Sequence, residues 1–189
     1  TFVLSAYTVT PAEILIFNDP DLGGRHFSEL PLAKYFGSPN GMMIARTNWH
    51  EGMDSPQVLA QMRIKEYYSA NHDHLDSGQF QLYYKGILAS ESGHYGSYQS
   101  DHTLNYYART VAHNLVTVYD PNENMALRSR GFANDGGQRT DNSSEPGDFD
   151  KWMTGGYNVA KVIGHEFGPD LHTPTYTYLK GNLTNAYSK

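Results

Sequence analysis

The chain has 189 residues and a formal net charge of −6, with 39% hydrophobic and 18% charged residues. That suffices for one folded domain, or one domain and a remnant, and the acidic balance excludes a nucleic-acid surface built on general basicity. Cysteine is absent, which excludes disulfides, and no apolar run approaches the ~18 residues of a membrane-spanning helix.

The first residues, Thr-Phe-Val-Leu, carry no charged n-region, so no signal peptide is read and the chain is expected to be a mature product or an internal piece. Thr10-Pro11-Ala12-Glu13 is a helix-start signal, with Thr10 as N-cap, proline at the first position and Glu13 three after the cap. This helix is expected to end at Asn18-Asp19-Pro20, and Phe27 to Phe36 is expected to form one further short helix. Residues 1–40 therefore read as the edge of something helical, and residues 41–189 as a separate β domain.

From Gly41 onward the texture is all-β. Met42 to Trp49, Val58 to Tyr68, Phe80 to Tyr84 and Leu115 to Tyr119 alternate or concentrate strand residues. Residues 131–150 are rich in Gly, Asp and Asn and predict a long loop. Strand signals resume at Asn158 to Ile163 and Thr173 to Leu179, with no internal repeat. Asn142 and Asn182 open glycosylation sequons, a pattern short enough to arise often by chance. The 15 Tyr, 8 Phe and 2 Trp suit strands, and aromatic faces also stack on sugar rings.

The stretch Asn71-His72-Asp73-His74-Leu75-Asp76 puts two imidazoles and two carboxylates just ahead of the Phe80 strand. If His72 and His74 are extended, residues i and i+2 share a face and offer two nitrogens to one site. Glu91 and His94 follow Ile87-Leu88, and Arg109-Thr110-Val111-Ala112-His113 leads into the Leu115 strand with Arg109 and His113 on one face. His74, Glu91 and His113 are then able to converge as two nitrogens and one oxygen, a set suited to zinc with an open fourth position. His26, His50, His102, His165 and His172 are read as ordinary surface or hydrogen-bonded histidines. Arg46, Arg63, Lys65 and Arg109 are able to form a local basic pocket for an anionic substrate.

The strings NHDHLDSGQFQLYYKGILASESG and YYARTVAHNLVTVYDP, supported by FSELPLAKYFGSPNGMMIARTNW and YTYLKGNLTNAYSK, resemble the central domain of the heparinase II/III family of polysaccharide lyases, nearest its heparinase II branch. The resemblance implies an antiparallel β-sandwich packed against an α/α toroid, with residues 1–40 as the toroid's tail and a final domain beyond the C-terminus. It implies His72 as a catalytic histidine and His74 and His113 as ligands of a structural zinc ion (Zn2+). Glu91 stands where the family tends to place an aspartate ligand. The family's catalytic tyrosine and a further histidine lie on the toroid and have no counterpart in this chain.

The implied reaction is β-elimination on a uronic-acid polysaccharide of the heparin or heparan sulfate kind. Tyr95, Tyr98 and Arg109 are the in-chain candidates for touching the sugar. The expected partners are that anionic polymer and the rest of the parent lyase chain, with a homodimer as an option and with neither nucleic acid nor membrane. The family's setting is the bacterial periplasm or secretion. Two rivals stand beside it. A cupin-like metalloenzyme would place both His72 and His74 on one metal, although Glu91 follows later than cupin spacing has it. A non-catalytic carbohydrate-binding sandwich would leave the histidines incidental.

Overall fold

The computed structural model describes residues 11–12, 16, 19, 21–52, 54–69, 72–127, 130–132, 134–140 and 145–187. Two compact units are present, Thr1–Leu30 and Pro31–Lys189. Of the helix expected from Thr10, only Pro11, Ala12 and Ile16 lie among the described residues, and these are helical. In the first unit a 3-10 turn spans Phe27–Glu29, with the His26 ring accepting the Ser28 N–H.

The single helix expected over Phe27 to Phe36 does not form. Pro31 lacks an N–H and biases the residue before it out of the helical region, and Leu30 is extended at φ −71° and ψ 149°. The segment that follows becomes strand β1 (Ala33–Phe36), paired antiparallel with β2 (Met42–Arg46). The sheet thus begins at Ala33, before the Gly41 boundary read from composition.

The second unit is mainly β and β-sandwich-like. Its larger layer is an antiparallel meander of β1, β2, β3 (Val58–Arg63), β4 (Phe80–Tyr84) and β5 (Ile87–Ala89), in spatial order β1-β2-β3-β4-β5. Two hairpins complete the strands: β6 (Met125–Leu127) with β7 (Arg130–Phe132), and β8 (Lys161–Gly168) with β9 (Tyr176–Asn182). The β8–β9 hairpin packs against the meander at several points. Val162 and Leu179 lie on the Ile64 cluster, and Tyr35 stacks on His165 with ring centres 3.9 Å apart.

The core is Ile64, Tyr68, Leu75, Leu104, Ala108, Val159, Ala160 and Ala186, flanked by Met62, Val162, Leu179, Leu183 and Tyr187. Each large aliphatic or aromatic side chain buried there contributes about 1.5–3 kcal/mol. The contributors come from the loop between β3 and β4, from a π-helical turn (Thr103–Tyr107) and the residue after it, from Val159 and Ala160 just before β8, and from a C-terminal turn, α2 (Thr184–Tyr187).

Two further expectations are corrected. Leu115 to Tyr119 is not a strand: among the described residues no neighbouring segment pairs with it as a ladder, and Val116 and Val118 are exposed. The glycine- and Asp-rich stretch from 131 is not one long loop. Its described residues give the end of β7, an ordered turn around Asn134 to Gln138, and the start of helix α1 (Phe149–Thr154), N-capped by Asp148. In that turn the Asn134 and Asp135 side chains accept the N–H groups of Gly136 and Gly137 at 3.0 and 2.9 Å. The Asn142 sequon lies outside the described residues.

Candidate metal centre

The chain leaves β3 at Arg63 and re-enters the sheet near Gln79. The excursion between is closed at its base, where Gly78 N–H donates to Arg63 O at 2.7 Å and Arg63 N–H to Gln79 O at 3.0 Å. Compact loops whose ends meet are frequent carriers of function. Here the packing is organised by Lys65, which is buried. Its ammonium donates to the His74 carbonyl at 2.5 Å and to the Asp76 carboxylate, with Asp73 at 3.5 Å. Ser69 donates to Asp73 through both its N–H and its hydroxyl, each at 2.7 Å.

Burial alone would raise the Asp76 carboxyl, but the Lys65 charge and hydrogen bond, with smaller help from His113 and Arg63, hold it below the ordinary value. Beyond His74, Leu75 N–H donates to Ala108 O and Thr110 Oγ1 to Leu75 O, at 2.9 and 2.6 Å. His74 is therefore held through its own carbonyl and through the residue after it. The extended H-D-H reading fails at His72, whose φ of +55° is left-handed. His72 and His74 do not share a strand face; the His72 ring instead meets Tyr98, centre to centre at 4.7 Å.

The second ligand segment follows β5. Ser90 O accepts from Asn114 Nδ2 at 3.1 Å, and Ser92 N–H donates to Ala112 O at 2.7 Å. Between them stands Glu91, with the Tyr107 hydroxyl in its electrostatic reach. Burial pushes that hydroxyl above its ordinary pKa, and the neighbouring Glu91 carboxylate pushes it further.

The third segment is a 3-10 turn, Thr110–Ala112, that ends in an extended His113. The His113 ring is fully buried, and neither of its nitrogens has a hydrogen-bond partner. Burial lowers its pKa to about 4, with His74 and Lys65 adding to the effect and Asp76 opposing it.

One ligand atom from each of His74, Glu91 and His113 lies within 4.8 Å of the others. Glu91 Oε2 is 3.3 Å from His74 Nδ1 and 3.6 Å from His113 Nδ1. Tetrahedral ligands at ~2.1 Å from a zinc ion sit roughly 3.4 Å from one another, so both spacings suit a shared ion. The orphaned His113 nitrogens agree, since an unsatisfied buried polar group costs about 1–3 kcal/mol. A ligand imidazole must also be neutral, as His113 is. The residues present fit a divalent metal with two nitrogens and one oxygen.

The remaining sequence candidates divide. Tyr95 is 55% exposed, with its ring 6.4 Å from that of Tyr107, and Tyr98 sits beside His72. Arg109 is only 1% exposed and donates to Asp135 at 2.7 Å, so it serves the interior and a sugar does not reach it. The expected basic pocket divides too. Arg63 and Lys65 line a cavity of about 380 Å³ with Asp73 and Trp152, whereas Arg46 lies over Trp49. His94 stacks on His102, with ring centres 4.7 Å apart.

Sequence reasoning missed Tyr107, and it read Lys65 as part of a pocket for an anionic substrate where the fold uses it to brace the His74 loop. Neither sits at a recognisable spacing from the ligands, because supporting contacts follow the fold and have no interval of their own. Among the described residues no helix is long and apolar enough to cross a membrane. No family model and no curated protein sequence matches the chain.

Proposed function

We propose that this chain forms part of the substrate cleft of a heparinase II/III-like polysaccharide lyase, acting on uronic-acid polymers by β-elimination, with zinc held structurally by His74, Glu91 and His113. The observation that carries the reading is the division of labour within H-D-H. His74 joins a closed metal-ligand triad, while exposed His72, two residues away, stays out of it beside Tyr98.

In β-elimination a base removes the C5 proton of the uronate. The electron pair left behind forms the C4–C5 double bond, and O4 departs with a proton from an acid. Histidine suits the base role because its ordinary pKa is close to neutrality. His72 is the base, or part of the pair, and Tyr95 and Tyr98 line the sugar's approach. Zinc, when bound, supplies a fixed divalent charge tying three loops together. His72 is then presented from a braced segment.

The cupin-like alternative needs both H-D-H histidines on one metal, which the left-handed His72 and the composition of the triad disfavour. The exposed Tyr95, Tyr176 and Tyr178 favour a second reading, a carbohydrate-binding sandwich without catalysis.

Elemental analysis after dialysis against a weak chelator tests the proposal, together with calorimetric titration of a heparin-like oligosaccharide. Near-stoichiometric zinc should be lost in His74→Ala and His113→Ala and kept in His72→Ala. Zinc loss in all three variants would revive the cupin arrangement. In the complete enzyme His72→Ala should keep sugar binding but abolish formation of unsaturated uronate. Unchanged turnover there would leave the binding module standing.

A further inference from the structure

Beside Lys65 lies a cavity that the metal reading does not use. It measures about 380 Å³ and is walled by Asn40 ahead of β2, by Arg63, Lys65 and Tyr67 at and beyond the end of β3, by Asp73, and by Trp152 of α1. Small-molecule sites begin at roughly this size and combine an apolar wall with a few polar groups.

The aromatic wall is fixed by bonds of its own. The Trp152 indole N–H donates to Tyr68 O at 3.2 Å, and Tyr67 is bridged antiparallel to Asn158. The Tyr67 and Trp152 rings meet at 56° with centres 5.5 Å apart, forming a corner.

The charged groups of the cavity are not equivalent. Lys65 is engaged by the His74 carbonyl, Asp76 and Asp73, and the Asp73 carboxylate by Lys65 and Ser69. Arg63 differs, because its Nε is buried and has no hydrogen-bond partner. A guanidinium only donates, and a buried donor without a partner costs free energy that a bound acceptor recovers. Its planar fork matches a carboxylate, which accepts two parallel N–H bonds. Asn40 adds an amide that both donates and accepts. A sugar hydroxyl uses such a group, whereas an apolar acid does not.

We propose that this cavity binds one uronate sugar, with its carboxylate on Arg63, its ring in the corner of Tyr67 and Trp152, and a hydroxyl on Asn40. The site needs neither the metal nor His72, so it goes beyond the lyase reading above.

The test titrates the complete 189-residue chain, isotope-labelled and stripped of metal, with glucuronate. Glucose supplies the ring without the charge, and acetate the charge without the ring. The chain has two tryptophans, and the indole N–H signal missing from Trp152→Phe belongs to Trp152. That signal should shift saturably with glucuronate, and roughly tenfold more weakly or less with glucose and acetate. Arg63→Gln should weaken glucuronate about tenfold or more, and Tyr67→Leu about 2–10-fold, with urea midpoints confirming that both variants fold. Should Arg63→Gln not fold, Arg63→Lys, which keeps the charge and loses the fork, must show the loss instead. The absence of a saturable Trp152 shift in the parent overturns the proposal. So does glucose or acetate binding as tightly as glucuronate, or parent-like affinity in a folded Arg63 variant. His72→Ala should bind glucuronate as the parent does; loss there would place the sugar at His72 and overturn this site. Because metal is absent throughout, failure of this proposal and failure of the zinc reading are read separately.

Discussion

His113 carries the sharpest electrostatic consequence of the site. In the metal-free fold its pKa is about 4, against about 6.5 for an unfolded histidine. Above about pH 6.5 both states hold it neutral, and it contributes nothing to the pH dependence. As pH falls below that value the unfolded chain takes up the proton first, so stability declines until about pH 4 and then levels. The shift corresponds to a loss of about 3 kcal/mol. Urea midpoints of the metal-free protein from pH 7.5 to 4 should follow that decline, and His113→Gln should flatten it. A flat profile in the parent chain would mean that the ring is not buried as described. Asp76 acts in a lower window: its depressed pKa makes its contribution present above about pH 4 and lost as pH falls further.

Among the elements, the tight turn from β1 into β2 shows how backbone geometry supports the site from a distance. Gly41 has a φ of +57°, and its carbonyl accepts the Ile64 N–H at 2.9 Å, the first bond of the excursion that carries His72 and His74. A Cβ at Gly41 would lie 2.2 Å from the Ile64 carbonyl oxygen. That neighbour is backbone and cannot swing aside, and the left-handed conformation adds strain of its own. Gly41→Ala should cost about 2 kcal/mol or more in urea unfolding. Zinc affinity should fall with it, because the Ile64–Lys65 backbone must move. A variant as stable as the parent would show that the β1–β2 turn relaxes freely.

At the scale of the whole molecule, the core and the site are one construction. Leu75 follows His74 in the chain, Leu104 lies within the turn that ends in Tyr107 and Ala108 follows it; all three belong to the same buried cluster. Leu104→Ala should lower the unfolding free energy by about 2–5 kcal/mol, with an unchanged denaturant slope if the fold survives. The effect should also weaken zinc binding, since the cavity lies beneath two of the parts that hold the triad. Full stability in this variant would contradict the observed burial of Leu104.

Much of the architecture was legible because its causes are local. Phe80 to Tyr84 forms a strand throughout, and of the Val58 to Tyr68 run Val58 to Arg63 does, the rest turning into the core at Ile64. Pro31, read only as part of a helix, already contained the reason that helix fails. The identities of His74, Glu91 and His113 were legible as well, since few residue types bind metals and these stand close to strand signals. The route was not: periodicity puts His74 and His113 on extended faces, whereas both sit on loops. Three things were decided by tertiary structure alone. One is the left-handed turn at His72, and another is the burial of Arg109 against Asp135. The last is the π turn that brings the Tyr107 ring against His74. Each depends on bonds between segments far apart in the chain, such as Thr110 to Leu75 and Gln138 to Ser77. Residue periodicity reports which side of an element is apolar. It carries no information on which distant carbonyl will satisfy a buried donor, and that pairing is what assembles the site.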